Sequence, residues 1–308
     1  MKIQKRCRIC LCISGAIMLV ALILTFCGLG INYGIDFAGG LNIQYNMKTT
    51  FSQDDVAAAL KTQNIKDFKV STSGENKDIL QIRIPQLSGE AEIQSLQAGL
   101  EEELLKKYPD MDIATATTGY VGPVAGATLV RNAIISVAIA SLLMLLYIGF
   151  RFDVNSGLAA VIGLMHDVLI MLSFMVLLRN MIQMNSSFIA AMLTIVGYSI
   201  NNTIVIFDRI RENNKKPEYS HMERSKVVDI SVRESLGRTI NTTLTTLVTI
   251  VTLYIMGVDA IREFSLPIIV GILSGVYSAN LINGYLWAFF EERKLQRKGH
   301  KKLNAKKA

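Results

Sequence analysis

The sequence predicts an α-helical polytopic membrane protein with six transmembrane helices and a small α+β, ferredoxin-like domain on the exported side. Hydrophobic residues make up 51% of the 308 residues and charged residues only 19%, and the mean hydropathy is +0.36. Soluble domains contain about 25% charged residues. Several uncharged runs here exceed the roughly 18 apolar residues that indicate a membrane helix. The composition therefore excludes a soluble enzyme.

The six predicted transmembrane helices are separate apolar runs. They comprise residues 9–30, 132–150, 154–178, 181–207, 239–258 and 264–290. The first run follows a basic N-terminus but has no small-x-small cleavage site, so we expect an uncleaved anchor rather than a signal peptide. Six crossings place both termini on the same side of the membrane.

The basic residues predict the orientation of the chain. Of the 32 Lys and Arg, 21 lie in residues 2–8, at Arg151, in residues 208–238 and after residue 290. Because cytoplasmic loops carry an excess of Lys and Arg, we expect both termini to lie in the cytoplasm. We expect anionic lipids, and not nucleic acid, to bind the basic loops and tail. The predicted domains are residues 1–30 (N-terminus and first helix), 31–127 (exported domain), 128–290 (remaining helices) and 291–308 (basic tail).

The exported segment has its own pattern of strands and helices. Residues 41–47, 68–72, 79–84 and 111–117 are predicted strands, and residues 52–63 and 88–108 are predicted helices. The order β-α-β-β-α-β is that of a ferredoxin-like domain. Ser52 and Asp55 have the spacing of a capping box, residues 74–76 predict a turn, and Pro109 ends the second helix.

Polar residues near the middle of a membrane helix need a physical reason, because a central charge costs about 2.5–3.5 kcal/mol on insertion scales. His166 and Asp167 lie midway along the third predicted helix. They are either a buried pair that satisfies helix–helix hydrogen bonds or a proton relay or gate. Ser199 and Asn202 share one face of the fourth helix, and Asn cannot carry a proton as a carboxylate does.

Arg238 opens the fifth predicted helix, and Thr242 continues its polar stripe with the threonines at 245, 249 and 252. The guanidinium stays charged and could orient water or hold a neighbouring carboxylate in its charged form. Alternatively, Arg238 extends to the lipid headgroups and the threonines bond to carbonyls of their own helix.

Small residues recur every four positions in the sixth predicted helix, at Gly271, Gly275 and Ala279, with Ser274 and Ser278 beside them. This spacing predicts close helix packing, and we assign these residues no functional role. Another set lies at the cytoplasmic end of the fourth helix, where we expect a local charge network. Its members are Asp208, Arg209, Arg211 and Glu212.

Phosphate-binding loops, metal-ligand clusters and nucleophile–base sets are absent from the sequence. We therefore expect no cofactor, no metal ion and no enzymatic activity. An intramembrane hydrolase is the enzymatic alternative, and no nucleophile–base pair supports it.

An ordered set of motifs runs along most of the chain. The first follows the first helix and reads Gly34-Ile35-Asp36-Phe37-Ala38-Gly39-Gly40. The others are Phe150-Arg151-Phe152-Asp153, His166-Asp167-Val168, residues 196–201 through 208–213, and Arg238-Thr239-Ile240-Asn241-Thr242. This ordered set resembles the SecF family of protein-export membrane proteins, within the RND transporter superfamily, and the resemblance implies a place in a bacterial plasma membrane.

The resemblance implies that the chain is half of an RND-type bundle completed by SecD. It implies action beside the SecYEG channel after the motor SecA, with the proton-motive force helping to move a secreted polypeptide. The exported domain would then contact the emerging polypeptide or the larger domain of SecD. A one-sided polar stripe in a six-helix bundle independently indicates a missing partner.

One position departs from the pattern of this family. SecF proteins usually carry Asp, part of their proposed proton path, where this chain has Asn202, whereas Arg238 matches the functional Arg of the family. Either SecD supplies the carboxylate, with Asn202 and Arg238 as its hydrogen-bonding partners, or coupling is weakened. We favour the first hypothesis.

Two other functions stay open at this point. A half-size RND transporter for small molecules is the first, although such chains usually carry both halves and larger exported domains. The second is a passive scaffold of the translocase without its own ion coupling, which Asn202 makes harder to dismiss.

Overall fold

The computed structural model describes residues 3–65, 67–73, 78–85, 90–179 and 181–305. In chain order its elements are α1 (Ile3–Phe26), α2 (Ile35–Ala38), β1 (Gly40–Asn46), α3 (Gln53–Thr62), β2 (Lys69–Ser73), β3 (Ile79–Ile84), α4 (Glu90–Lys107), β4 (Asp112–Val121), α5 (Pro123–Arg151), α6 (Val154–Leu177), α7 (Ser186–Asn214), a 3-10 turn (Pro217–Tyr219), α8 (Arg224–Met256), α9 (Asp259–Ser278), a π-helical segment (Ala279–Asn283) and α10 (Gly284–Ala305).

Six helical segments of the described residues are long and apolar enough to cross a membrane, which confirms the predicted number. They are Cys7–Phe26, Ala125–Arg151, Val154–Leu177, Ser186–Asn214, Arg224–Met256 and Ile261–Arg297. Helices α6, α7 and α9 contact one another at the centre of the bundle. Helices α1, α5 and α8 expose many of their apolar side chains, as a lipid-facing or partner-facing surface does.

Small residues let the central helices approach closely, as the sixth predicted helix indicated. A Cβ atom added at Gly271 would lie 2.4 Å from Cγ1 of Ile195, and one at Gly275 would lie 3.3 Å from Cβ of Ser199. Both contacts are between α9 and α7. The predicted packing role of this stripe is thereby confirmed.

Helix α7 begins at Ser186 and not at residue 181, because the preceding residues bond to the chain that follows α1. The N–H of Gly34 donates to the carbonyl of Met184 at 2.8 Å, and the N–H of Met184 donates to the carbonyl of Asn32 at 2.8 Å. Asn185 then caps α7 by accepting from the N–H of Phe188 at 3.1 Å. The predicted helix was therefore five residues too long at this end.

The sixth predicted helix is interrupted by the π-helical segment between α9 and α10. Asn283 in this segment is buried, and its Nδ2 donates to Oγ1 of Thr203 on α7 at 2.8 Å. Its side chain fills the space beside Gly163 on α6, where an added Cβ would lie 2.0 Å from Oδ1 of Asn283. Such π-helical insertions are frequent at functional sites.

The segment between α1 and α5 contains a four-stranded antiparallel sheet in the order β2-β3-β1-β4, with the element order β-α-β-β-α-β that the sequence predicted. One face packs on α3 and α4 through buried apolar side chains such as those of Leu41, Ile82 and Leu100. Strand β4 continues to Val121, beyond the predicted end at residue 117, because its last residues pair with the start of β1. The predicted turn at 74–76 and the predicted start of the second helix at residue 88 lie outside the described residues.

The predicted capping box at the start of α3 is wrong. Ser52 makes no side-chain capping bond, and its N–H donates to Oη of Tyr108 at 3.1 Å. The carboxylate of Asp55 bonds elsewhere, accepting from Nζ of Lys107 at 2.8 Å and from Oη of Tyr108 at 2.9 Å. Lys107 and Tyr108, at the end of α4, therefore bind the Asp55 carboxylate in place of a capping bond within α3.

This contact predicts acid sensitivity of the α+β domain. Hydrogen bonds from Lys107 and Tyr108 lower the pKa of the Asp55 carboxyl from its usual value of 3.8. The folded state therefore binds fewer protons than the unfolded state, so the stabilisation is present above pH 3.8 and is lost as the pH falls through the folded pKa. We expect Asp55→Asn to reduce the difference in β-strand hydrogen-exchange protection between pH 6 and pH 3 in the full chain. An unchanged difference would contradict this role of Asp55.

Candidate functional site

Asp167 lies at the centre of the bundle, and its side chain is completely buried (0% exposed). Three serine hydroxyls on two other helices donate to it. Ser199 of α7 donates to Oδ2 at 2.5 Å, and from α9 Ser274 donates to Oδ1 at 2.7 Å and Ser278 to Oδ2 at 2.8 Å. Because a hydrogen bond to a charged group contributes about 1.5–3 kcal/mol, this set can hold a carboxylate inside the membrane.

The sequence explains how these serines converge. Ser274 and Ser278 are four residues apart and thus lie on the same face of α9. Gly275 lies between them and lets α7 approach, which brings Ser199 to the same carboxylate. The small-residue stripe of α9 therefore positions the donors of Asp167 in addition to packing two helices.

His166 extends the hydrogen-bonded chain from Asp167 to α1. Its Nδ1 lies 3.0 Å from Oδ1 of Asp167 and its Nε2 lies 2.9 Å from Oη of Tyr277. The rings of His166 and Tyr277 meet edge to face, with centroids 5.3 Å apart. The Tyr277 Oη lies 2.6 Å from Oγ of Ser14, which donates to the carbonyl of Cys10 at 2.9 Å.

Ser274 and Ser278, to which the sequence assigned packing and no functional role, also donate hydrogen bonds to the buried carboxylate. Tyr277 and Ser14 were also missed as members of the polar cluster. The cost of burying hydroxyl groups in a membrane was the signal that could have identified them. Sequence spacing alone does not tell which helix a hydroxyl faces.

A second polar layer lies one helical turn from Ser199. Thr203 of α7 donates to the carbonyl of Ser199 at 3.0 Å and accepts from Asn283. Asn202 is buried (2% exposed). Among the described residues, the buried atoms near the bundle core that lack a hydrogen-bond partner include Asn202 Nδ2, Thr243 Oγ1, Asn280 Oδ1 and Asn283 Oδ1. These atoms are available for hydrogen bonds to water or to a group of a partner chain.

The structure does not join Arg238 to the buried cluster. Arg238 is exposed on α8, and within the described residues its guanidinium forms no ion pair or hydrogen bond. The hydroxyl of Thr242 donates to the carbonyl of Arg238 at 2.9 Å, and the threonines at 245, 249 and 252 bond to carbonyls of their own helix in the same way. The predicted polar seam is thus divided into a buried part around Asp167 and an exposed stripe on α8.

A charge network is present at the C-terminal end of α7, where the sequence predicted one. Arg209 contacts Glu234 of α8 at 2.8 Å and Glu212 at 2.5 Å. Arg211 donates to the carbonyl of Arg151 at 3.3 Å. Asp208 is exposed. These contacts tie α7 to α8 and to the end of α5.

The glycine motif after α1 joins the sheet to the bundle. Gly39 and Gly40 have φ angles of 75° and 115°, which L side chains rarely adopt. A Cβ atom at Gly40 would lie 2.4 Å from the carbonyl oxygen of Ile84. Asp36 accepts from the N–H of Ser186, at the N-terminus of α7, at 2.8 Å. The positive end of the α7 helix dipole stabilises the negative charge of Asp36 at this position.

The other two predicted residues of the motif fix its position. Gly34 bonds to the backbone before α7, as described above, and Phe37 lies against α5. A Cβ atom at Gly126 of α5 would be only 2.8 Å from the carbonyl oxygen of Phe37. In the part of the chain that the structure describes, no group of three His, Cys, Asp or Glu side chains could hold a metal ion.

Two protein-family models together match most of the chain. The model "Protein export membrane protein SecD/SecF, C-terminal" matches residues 101–293, and the model "SecD/SecF GG Motif" matches residues 26–50. The protein translocase subunit SecF of Endomicrobium trichonymphae is 33% identical, and the match covers 86% of this chain and 83% of that protein. The corresponding SecF of Rickettsia felis is 32% identical, with 93% and 92% covered.

Longer relatives match over part of their length. The protein translocase subunit SecDF of Bacillus subtilis is 32% identical, and the match covers 87% of this chain but 35% of that protein. The crystal structure of SecDF from Thermus thermophilus superposes with a TM-score of 0.79 at 31% identity, covering 95% of this chain and 39% of that chain. This chain therefore spans about two-fifths of that SecDF structure. The chain belongs to the SecD/SecF family of protein export membrane proteins.

Proposed function

We propose that this chain is the SecF subunit of the Sec protein translocase. With SecD, it assists the late, proton-motive-force-dependent stage of protein translocation across a bacterial plasma membrane, beside the SecYEG channel and SecA. It catalyses no covalent reaction. The relatives named SecF and SecDF support a translocase role, and the SecDF chains support SecD as the partner.

The observation that carries proton coupling is the buried carboxylate of Asp167. An ionisable group in the middle of a membrane bundle is costly and is a functional site by default. One charge that moves through 100 mV releases about 2.3 kcal/mol. That amount is sufficient to shift an equilibrium between two conformations of similar free energy.

The exposed stripe of α8 supports a partner on this face. Arg238 and the threonines that follow it would otherwise face lipid, where a charged side chain is costly. A helix of SecD packed here would bring its own carboxylate to Arg238. Asn202, which replaces the carboxylate usual in SecF proteins, would then be a hydrogen-bonding partner and not the proton carrier.

The same proposal assigns the parts of the chain to the two sides of the membrane. The termini and the basic tail lie in the cytoplasm, where they bind anionic lipids. The sheet and helices between α1 and α5 form the exported ferredoxin-like domain, an assignment that the strand order β2-β3-β1-β4 supports. This domain contacts the emerging polypeptide or the exported part of SecD.

Two substitutions separate the roles of Arg238 and Asn202. In inverted membrane vesicles that contain SecD, we expect Arg238→Ala to slow the late stage of translocation at least tenfold, about 1.4 kcal/mol. We expect Asn202→Ala to slow it less than threefold, because the amide only forms a hydrogen bond to the carboxylate that SecD supplies. Arg131→Ala, at an exposed position of α5, is the matched control and should have no effect. Equal and complete loss in both variants would contradict this division of roles.

A passive scaffold is the second candidate, and the amide at Asn202 favours it. The scaffold holds translocase components together but gains nothing from the proton gradient. A protonophore should slow late translocation by the unsubstituted chain if coupling is present. An unchanged rate would favour the scaffold and overturn proton coupling.

A further inference from the structure

We propose that His166, Tyr277 and Ser14 form a proton path between Asp167 and the cytoplasmic half of α1. The inference rests on the proposed function, since it names the route by which this chain moves protons. The path uses α6, α9 and α1, none of which carries Arg238 or Asn202. It is therefore a route separate from the stripe on α8.

The distances along the path are those of continuous hydrogen bonds. From Asp167 Oδ1 to His166 Nδ1 the distance is 3.0 Å, and from His166 Nε2 to Tyr277 Oη it is 2.9 Å. Tyr277 Oη and Ser14 Oγ are 2.6 Å apart. Good N–H···O bonds measure about 2.7–3.2 Å and O–H···O bonds about 2.5–3.0 Å, so the three contacts from Asp167 to Ser14 need no water between them.

The donors and acceptors allow one consistent direction. When Asp167 carries a proton, its O–H is donated to His166 Nδ1, and the N–H at Nε2 is donated to Tyr277 Oη. The O–H proton of Tyr277 then passes to Ser14 Oγ, and the O–H proton of Ser14 passes to a water. His166, Tyr277 and Ser14 each receive one proton as they release one. The result is an ionised Asp167 and a proton on water beside Ser14, with His166 and Tyr277 still neutral.

The three serines around Asp167 suit both of its protonation states. A hydroxyl can donate or accept because it rotates, so Ser199, Ser274 and Ser278 satisfy the carboxylate when it is charged and the carboxyl when it is neutral. Among the described residues, no Lys, Arg or Glu pairs with Asp167. The titratable groups that face the path are His166, Tyr277 of α9 and, on α1, Cys10.

A cavity of about 370 Å³ between α1, α6 and α9 lies at the end of the path. Most of its lining is apolar, and the hydroxyls of Ser14, Ser274 and Tyr277 are polar groups on its wall. A buried water needs about two to four polar partners, and these hydroxyls can supply them for the water that accepts the proton from Ser14.

The position of Ser14 gives the direction across the membrane. Ser14 is seven residues after Cys7, where the first candidate span begins, and seven residues of helix rise about 10 Å. Asp167 lies near the middle of α6. The path therefore leads from the centre of the membrane toward the end of α1 that the positive-inside rule places in the cytoplasm.

Removal of one hydroxyl tests the path. Tyr277→Phe keeps the ring that packs against His166 and deletes the proton donor to Ser14. With SecD in inverted membrane vesicles, we expect the protonophore-sensitive rate of late translocation to fall at least fivefold for the same amount of chain. Ser14→Ala should also lower it at least fivefold. Tyr147→Phe, on the exposed face of α5, is the matched control and should leave the rate unchanged.

A second measurement does not depend on translocation. The infrared C=O band of protonated Asp167 should shift in Tyr277→Phe, because His166 loses its acceptor and binds the carboxyl differently. A rate within twofold of the unsubstituted chain in both variants, or an unshifted band, overturns the path. If protonophore has no effect on the unsubstituted chain, then proton coupling, and with it the proposed function, fails. In that case the shift of the infrared band alone tests whether Asp167 is hydrogen-bonded to Tyr277 through His166.

Discussion

Replacement of Asp167 with Asn should abolish the protonophore-sensitive part of translocation, a fall of at least tenfold in its rate. The amide has nearly the same shape as the carboxyl but exchanges no proton with His166. The serine hydroxyls can rotate to pair with the amide, so the bundle should still fold. The rate of late translocation in inverted vesicles, with and without protonophore, measures the effect.

Ser274→Ala is the graded control for this prediction. It removes one of three donors to Asp167 and leaves the proton carrier in place. Loss of one hydrogen bond to a charged group costs about 1.5–3 kcal/mol of stability, which a lower thermal midpoint of the purified chain would reveal. Proton-dependent translocation should persist in this variant. A fully proton-dependent Asp167→Asn chain would refute the role of the carboxylate.

The sequence predicted the features that depend on local pattern. Apolar runs indicated six crossings because a membrane helix needs about 20 apolar residues in succession. Alternation indicated the strands, and β3 has the predicted bounds of residues 79–84. His166 and Asp167 were identified because a charge in such a run is rare.

The features that the sequence did not predict depend on contacts between distant segments. Ser199, Ser274 and Ser278 meet at one carboxylate only after three helices have taken a particular rotation about their axes. Spacing within one helix carries no information about that rotation. The same holds for Ser14 and Tyr277, which are joined across 263 positions of sequence.

Local rules also failed where a tertiary contact was stronger. A capping box at Ser52 was reasonable from spacing, but Lys107 and Tyr108 take the carboxylate of Asp55 instead. Arg238 was expected to share a seam with Asn202, and yet it lies exposed while Asn202 is buried. A SecD helix packed on α8, as proposed, would cover the exposed half of this seam.

Gly40→Ala should destabilise the joint between the sheet and the bundle more than Gly28→Ala or Gly122→Ala. The φ angle of 115° is strained for an L residue, which costs about 1–3 kcal/mol. In addition, the new Cβ would lie 2.4 Å from the backbone oxygen of Ile84, which β-sheet pairing holds in place. We expect a total loss of at least about 3 kcal/mol in the free energy of unfolding of this region.

Two other glycines separate strain from collision. Gly28 has a φ of 79° but open space around it, so Gly28→Ala should cost only about 1–2 kcal/mol. Gly122 has neither a positive φ nor a neighbour within 4 Å, so Gly122→Ala should be nearly neutral. Hydrogen exchange of β1 and β3 in the full chain should rank the three variants in that order. If Gly40→Ala proved no worse than Gly28→Ala, the contact with Ile84 would not explain why the motif ends in glycine.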